Sequence, residues 1–424
     1  MEVLYLKYNY IYVNLYLLGC VNLDVSNFLE NFIKKESLFK NKAALQSSYN
    51  PDEILHRDEQ TSIIAKILAP ALRLERPSNL FIYGKTGSGK TLTTQATIKQ
   101  IQSIAARELI PIKFIYINCK LKKVADTEYR LVAEITRFFG KTIPPTGLPT
   151  DEVYNIFYRT LDKEKQVVVL VLDEIDQLVK KIGDEVIYNL TRINTELKNA
   201  QLAIVGISND IMFADNLDPR VKSSLSEEEL IFPSYNALQI QDILKKRSLE
   251  AIKDNVLDEG VIAKCAAYAA REHGDARRAL ELLRVAVELA ERKGILKISI
   301  KELDEAEEKI EKDRVIDIIT TQPKQYQAVL YSILLIYEQR KQQNIIFTGE
   351  IYVLYKELCS KISLRPLTQR RVSDVIADFD LLGIINAKVI SKGRYGRTRE
   401  VSVVTNDTLN VKIKSLLEGS LSLN

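Results

Sequence analysis

The sequence predicts an α/β core of P-loop type built on a parallel sheet, followed by a small all-α domain and then a C-terminal winged helix. Three observations carry this prediction. From Leu80 to about Ser234 short apolar runs alternate with amphipathic stretches; after Tyr235 only helical periodicity remains; beyond Pro323 three helix-like segments precede two β-like stretches.

In the first region Leu80–Tyr83, Phe114–Asn118, Val167–Leu172 and Leu202–Ile207 read as strands. Continuous apolar runs separated by helices indicate a parallel sheet covered on both faces. In the second, Ala237–Ala251, Asp258–His273, Ala276–Lys293 and Ile300–Ile318 read as helices, with His273-Gly274-Asp275 as a stop followed by a new N-cap. In the third, Lys324–Arg340, Gly349–Ile362 and Leu367–Leu381 read as helices, and Ile384–Ser391 and Thr398–Val404 as the strands of a hairpin. Three helices and a basic hairpin outline a winged helix-turn-helix. The expected divisions are an N-terminal extension at 1–26, the α/β core at 27–234, the helical domain at 235–320 and the winged helix at 321–424.

Composition bounds the class. At 424 residues two or three domains are expected, and 46% hydrophobic with 27% charged residues is ordinary for a globular chain. Four cysteines, Cys20, Cys119, Cys265 and Cys359, and two distant histidines form no local disulfide or zinc pattern, which fits a reducing, intracellular setting. The apolar start, Met1 to about Asn22, is broken by Lys7, Asn9 and Asn14 and lacks the features of a signal peptide or a membrane span. The net charge is +4, but Lys361–Arg399 holds nine Lys/Arg against three Asp, a local +6 that leaves −2 for the rest.

Gly84-Lys85-Thr86-Gly87-Ser88-Gly89-Lys90-Thr91 is a P-loop motif between a strand and a helix. Its glycines let backbone N–H groups curl around phosphate oxygens, Lys90 reaches the terminal phosphates, and Thr91 offers a Mg2+ ligand. The buried run ending in Asp173-Glu174 supplies a second carboxylate pair: Asp173 against hydrated Mg2+, Glu174 to orient and deprotonate water. Together they imply binding and hydrolysis of a nucleoside triphosphate. Asn209, after the fourth run, is either a turn residue or a γ-phosphate partner. Arg220 and Arg277 are either solvated or available to a transferring phosphoryl group.

In the winged helix, Thr368, Gln369, Arg370 and Arg371 open the third helix, where a groove-inserted helix meets bases and phosphates. Lys392, Arg394, Tyr395, Arg397 and Arg399 lie on and beside the hairpin tip, a composition suited to tracking phosphates. Winged helices also dock proteins; the local +6 favours DNA.

With these residues in place the chain resembles the AAA+ initiator family of archaeal origin-recognition proteins, homologues of eukaryotic origin recognition complex subunits and of cell division control protein 6. The resemblance runs from about Asn27 to the C-terminus. It rests on Tyr49–Arg57, the two ATP motifs, Leu217-Asp218-Pro219-Arg220 through Leu225, Gly274-Asp275-Ala276-Arg277-Arg278 through Leu280, and the winged helix. It implies an AAA+ ATPase core, a lid domain, and ATP/ADP with Mg2+ as cofactors. It also implies that Asn209 is sensor 1, Arg277 is the sensor 2 arginine and Arg220 is an arginine finger, with Arg278 and Lys222 as close alternatives. Pro51, His56 and Arg57 match the segment along the adenine. Cys119–Tyr129, with Lys120, Lys122 and Lys123, matches a DNA-touching insertion. The implied function is a cytoplasmic, chromosome-bound initiator that binds duplex origin DNA and helps recruit or load the replicative MCM helicase, alone or with further copies or paralogues, with no membrane role. The alternatives are a winged-helix transcription regulator with a nucleotide-sensing ATPase, and a clamp-loader-like assembly ATPase.

Overall fold

The computed structural model describes residues 36–424 apart from 52, 121–124, 145, 226, 273, 341–344, 392–396, 405–406 and 424. The expected 1–26 extension therefore lies outside the described residues. Contacts divide the chain into two compact units, one ending at Leu303 and one spanning Asp304–Asn424.

In the first unit β1 (Asn79–Tyr83), β2 (Ile112–Asn118), β3 (Val167–Asp173), β4 (Gln201–Ser208) and β5 (Glu227–Ile231) form a parallel sheet of order β2-β3-β4-β1-β5. The first four contain the predicted runs. Along β3 the pleat sends Val168, Leu170 and Leu172 to one face, against Leu131 of α3 (Glu128–Arg137) and Phe157 of α4 (Thr150–Leu161). Val167, Val169 and Val171 go to the other, against Ile64 of α1 (Asp58–Leu68) and Ile98 of α2 (Lys90–Arg107). Burial on both faces is why the run is continuous rather than alternating. β5 gives no such signal because it is an edge strand paired only with β1, and Glu228 and Glu229 are exposed on it. After β3 come α5 (Ile175–Ile182) and α6 (Glu185–Arg192), and after β4 comes α7 (Pro219–Leu225).

The helical domain follows with α8 (Ala237–Ala251), α9 (Val261–Arg271) and α10 (Ala276–Lys293). α9 starts three residues later than predicted because Gly260, at φ +87°, ends the preceding turn. A strap from before the sheet belongs to this domain. Lys40 and Asn41 N–H groups donate to Ala251 O (2.8 and 3.1 Å), Lys253 N–H donates to Leu38 O (3.0 Å), and Tyr49 OH donates to Glu250 (3.0 Å). The chain then crosses to the sheet at Arg57. α11 (Ile300–Thr321) contains the boundary between the units.

The second unit has α12 (Lys324–Gln339), β6 (Ile346–Phe347), α13 (Thr348–Lys361), α14 (Gln369–Leu381), β7 (Ile385–Ser391), β8 (Arg397–Val403) and α15 (Asp407–Leu421). β7 and β8 form an antiparallel hairpin in register Ile385↔Val403 to Ser391↔Arg397, and β6 adds to β8. Helices and hairpin share one core that includes Leu330, Tyr355, Phe379 and Val401. The predicted three helices and hairpin are present, and β6 and α15 are additions. Among the described residues, Cys119, Cys265 and Cys359 are buried and form no disulfide, and no helix is long and apolar enough to cross a membrane.

Candidate functional site: a nucleotide cleft and a basic winged helix

The strand order assembles the cleft. β4 lies between β1 and β3 in parallel register, pairing Tyr83 with Ser208 and Asp173 with Ile207. The loop after β1, the carboxylates ending β3 and Asn209 after β4 therefore emerge side by side at the carboxyl edge of the sheet. This is where open α/β sheets bind ligands.

The P-loop closes onto the start of α2. Gly87 and Gly89 have φ of +69° and +89°, and each has a close neighbour where a Cβ would go. At Gly87 it would fall 1.8 Å from Asp275 Oδ1, and at Gly89 it would fall 2.7 Å from Tyr235 OH. Asp275 itself caps α10, accepting from Arg277 N (2.8 Å) and Arg278 N (3.4 Å), so the lid helix begins against the P-loop.

Lys90 is 5% exposed, and its ammonium donates to Gly84 O (2.6 Å), Lys85 O (2.8 Å) and Asn209 Oδ1 (3.0 Å). Burial lowers its pKa to about 8, with Asp173 acting in the opposite sense. Thr91 Oγ1 donates to Asp173 Oδ2 (2.9 Å), and Glu174 N–H donates to Asp173 Oδ1 (2.9 Å). A hydroxyl and a carboxylate this close form the hard-oxygen donor set that Mg2+ prefers. Glu174, at φ +56°, opens α5 and is 23% exposed. Lys85, Thr86 and Ser88 complete the loop, with Ser88 Oγ donating to Lys85 O (2.8 Å).

Two adjoining cavities meet at Gly87, Gly89, Thr91 and Arg277. The first holds Lys90, Asp173, Glu174 and Asn209; the second is lined by Pro51, Ile54, Leu92, Ile243 and Leu280. Arg277 lines both, whereas its alternative, Arg278, pairs with Glu272 (3.3 Å).

Other predicted residues stand elsewhere. His56 faces Asp242 (3.1 Å) rather than either cavity. Arg57 is 2% exposed, donates to Ser88 O (2.9 Å), His56 O (3.0 Å) and Pro233 O (2.7 Å), and stacks on Tyr235 (3.8 Å). It clamps the P-loop from behind and lines neither cavity. Arg220 is 84% exposed and paired only locally, with Asp218 (3.2 Å), and Lys222 pairs with Asp215 (2.8 Å). Lys120 comes within 3.8 Å of Glu174; Lys122 and Lys123 lie outside the described residues.

Tyr116 was not singled out by motif. Its OH donates to Asp173 Oδ2 at 2.5 Å, and burial followed by that bond raises its pKa. The only signal was its position two residues from the end of a strand adjacent to Asp173.

In the second unit Thr368 caps α14, its Oγ1 accepting from Arg371 N (3.4 Å). Gln369, Arg370 and Arg371 are exposed on the first turn, with Arg371 3.7 Å from Asp374. Arg399 donates from Nε to Ser373 Oγ (3.2 Å), tying β8 to α14. Lys392, Arg394 and Tyr395 lie outside the described residues, as does the Arg397 side chain.

Comparison with known proteins matches all three parts. The "AAA domain" family model covers residues 73–211, the "Cdc6 AAA+ ATPase-type lid domain" 241–308, and the "CDC6, C terminal winged helix domain" 317–411. An ORC1-type DNA replication protein of Pyrococcus furiosus is 50% identical over 95% of this chain and 94% of its own. ORC1-type DNA replication protein 1 of Methanosarcina mazei is 50% identical over 90% and 91%. Among solved structures, the Aeropyrum pernix ORC1 protein in complex with DNA has a TM-score of 0.77 at 41% identity, covering 92% of this chain and all of that one. With the three domain models matched in order and half the positions identical to full-length relatives, the chain belongs to the ORC1-type DNA replication proteins.

Proposed function

We propose that this chain is an ATP-dependent replication initiator. It binds duplex origin DNA through its winged helix, hydrolyses ATP slowly as a switch, and helps recruit or load the replicative MCM helicase on the chromosome. The observation that carries the reading is the convergence of Lys90, Thr91, Asp173, Glu174, Asn209 and Arg277 on one cleft within a chain of this family. The relative solved with DNA supports the DNA half.

In this reading ATP places its triphosphate in the P-loop. Lys90 exchanges its bonds to Gly84 O and Lys85 O for phosphate oxygens, and Asn209, already within 3.0 Å of Lys90, meets the γ-phosphate. Thr91 and Asp173 are the residues that would hold Mg2+, which offsets the phosphate charge when bound. Glu174 accepts the proton of the attacking water. Arg277 neutralises charge from the lid side, and Arg220, exposed away from its own cleft, serves a neighbouring copy. Pro51 borders the base pocket. Arg370 and Arg371 contact phosphates with Lys392, Arg394, Tyr395, Arg397 and Arg399, while Thr368 sets the start of the helix that presents them.

The deciding experiment is fluorescence anisotropy of the protein on origin duplex against scrambled duplex, with ATP and with ADP, across a salt series. Origin-selective binding is expected. Equal binding of both duplexes at every salt concentration overturns the initiator reading.

A further inference from the structure

The helical domain is joined to the sheet by two stretches of chain, and one buried side chain holds both. Arg57 stands where the strap passes to the sheet, and Pro233–Tyr235 is where the chain returns from β5 to α8. The Arg57 guanidinium donates to His56 O (3.0 Å) in the first crossing, to Pro233 O (2.7 Å) in the second and to Ser88 O (2.9 Å) in the P-loop. A planar fork of donors suits this joining of three segments.

The stretch before Arg57 is held to the helical domain. It runs antiparallel along α8, with Tyr49 against Glu250 (3.0 Å), Glu53 against Lys246 and His56 against Asp242 (3.1 Å), so residues four apart on the helix take successive points of the chain. His56 then turns at φ +59°, a left-handed state that a non-glycine residue keeps only where its surroundings hold it. Hinges lie at such ends of elements, where a few residues absorb a change of angle.

From this joint, contacts lead to Arg277. The Arg57 guanidinium stacks on the Tyr235 ring (3.8 Å), and a Cβ on Gly274 would fall 2.3 Å from Tyr235 O. Gly274 immediately precedes Asp275, the N-cap of the helix that carries Arg277. The chain of contact is therefore unbroken from Ser88 through Arg57, Tyr235 and Gly274 to the start of α10.

We propose that Arg57 is a positioning residue for Arg277: by fixing the angle at which the helical domain meets the P-loop, it sets where the Arg277 guanidinium stands in the phosphate cavity. The inference rests on the ATP reading of that cavity and deepens it. Arg57 lines neither cavity, so it acts through Tyr235 and α10. Lys90 keeps its own bonds to Gly84 O and Lys85 O, so the grip on phosphate does not depend on this joint.

The test is single-turnover hydrolysis by the full chain at saturating ATP and Mg2+, in a double-substitution cycle. Arg57→Lys keeps the charge and loses the planar fork, and it should slow hydrolysis about 10- to 100-fold, as for a misplacement of about 1 Å, while ATP affinity stays within a few-fold by calorimetric titration. In an Arg277→Ala background the same substitution should slow hydrolysis by less than about twofold, because no guanidinium is left to misplace. Tyr235→Leu removes the stacked ring but not the three carbonyl acceptors of Arg57; it should show the same dependence on Arg277, and it decides alone if Arg57→Lys does not fold. Equal slowing in both backgrounds, the result for a merely structural clamp, overturns the inference, as does no slowing in the first. Hydrolysis undiminished by Arg277→Ala alone overturns the reading of the cleft, and this inference with it, which separates the two failures.

Discussion

The Lys90 ammonium is held 3.0 Å from Asn209 Oδ1, so the P-loop lysine and the residue proposed to monitor the γ-phosphate are already in contact after two neighbouring strands. The same ammonium is buried and titrates near pH 8. A lysine whose folded pKa is lowered leaves the unfolded chain binding more protons between about pH 8 and its ordinary value of 10.5. Stability of the nucleotide-free protein should therefore rise with pH across that window and be flat for this group below it. ATP binding runs the other way. It needs the charged form, so affinity should be full well below pH 8, decline as the pH rises through it, and be accompanied by proton uptake at and above pH 8. Calorimetry in buffers of different ionisation enthalpy measures this uptake. Lys90→Ala should abolish ATP binding and with it the uptake, and an unchanged ATP affinity would remove the P-loop assignment.

Glu174 is the N-cap residue of α5 at positive φ and lines the cavity that holds Lys90 and Asp173. Glu174→Gln should keep ATP affinity within a few-fold and slow hydrolysis by about 10²- to 10⁴-fold. Single-turnover phosphate release is the measurement. A variant that hydrolyses ATP at the original rate rules out Glu174 as the base.

Tyr116 donates a short hydrogen bond to the Asp173 oxygen that also accepts from Thr91. Partners behind a metal ligand typically change metal affinity by about 10- to 100-fold. Tyr116→Phe should thus raise the Mg2+ concentration needed for half-maximal hydrolysis while leaving Mg2+-free nucleotide binding nearly unchanged. Equal Mg2+ titration curves for both proteins would show that the bond is merely structural.

Arg57 satisfies three backbone carbonyls while stacked on Tyr235. Arg57→Ala leaves Ser88 O, His56 O and Pro233 O without this donor and opens a void behind the P-loop. The expected loss is about 1–3 kcal/mol, the range for leaving a buried acceptor unsatisfied. Chemical denaturation measures it. A loss below about 1 kcal/mol contradicts the clamp.

Arg370 and Arg371 are exposed on the first turn of α14. Replacing both by alanine should weaken duplex binding and reduce the slope of log K against log salt by about 1.8, at about 0.9 per phosphate contact. Arg394→Ala with Arg397→Ala should do the same from the wing. A slope unchanged in either variant takes that element out of the interface.

The sheet and the residues that share the cleft were legible because their signals are local. A P-loop between strand and helix, or an acidic pair ending a run of valines, is written in eight or ten consecutive residues. The edge strand β5 was not legible, because a strand paired on one side only can carry exposed glutamates. α15 repeats apolar residues at Leu409, Ile413, Leu417 and Leu421, a spacing of four that could have been read as a buried helix face. Arg57 and His56 matched an adenine-lining segment by order along the chain, but a guanidinium's destination depends on which carbonyls the fold leaves open, and here those lie behind the loop. Tyr116 carries no motif; its contact with Asp173 comes from a neighbour 57 positions away.

The strap that precedes the sheet has a temporal meaning. Lys40 and Asn41 pair with Ala251, so the helical domain is discontinuous in sequence and encloses the ATPase sheet between its two parts. On a ribosome adding about 5–20 residues per second, the strap emerges roughly 10–40 s before its helices exist. The sheet is made in that interval, and the lid cannot be completed until the sheet that it will cover has been synthesised.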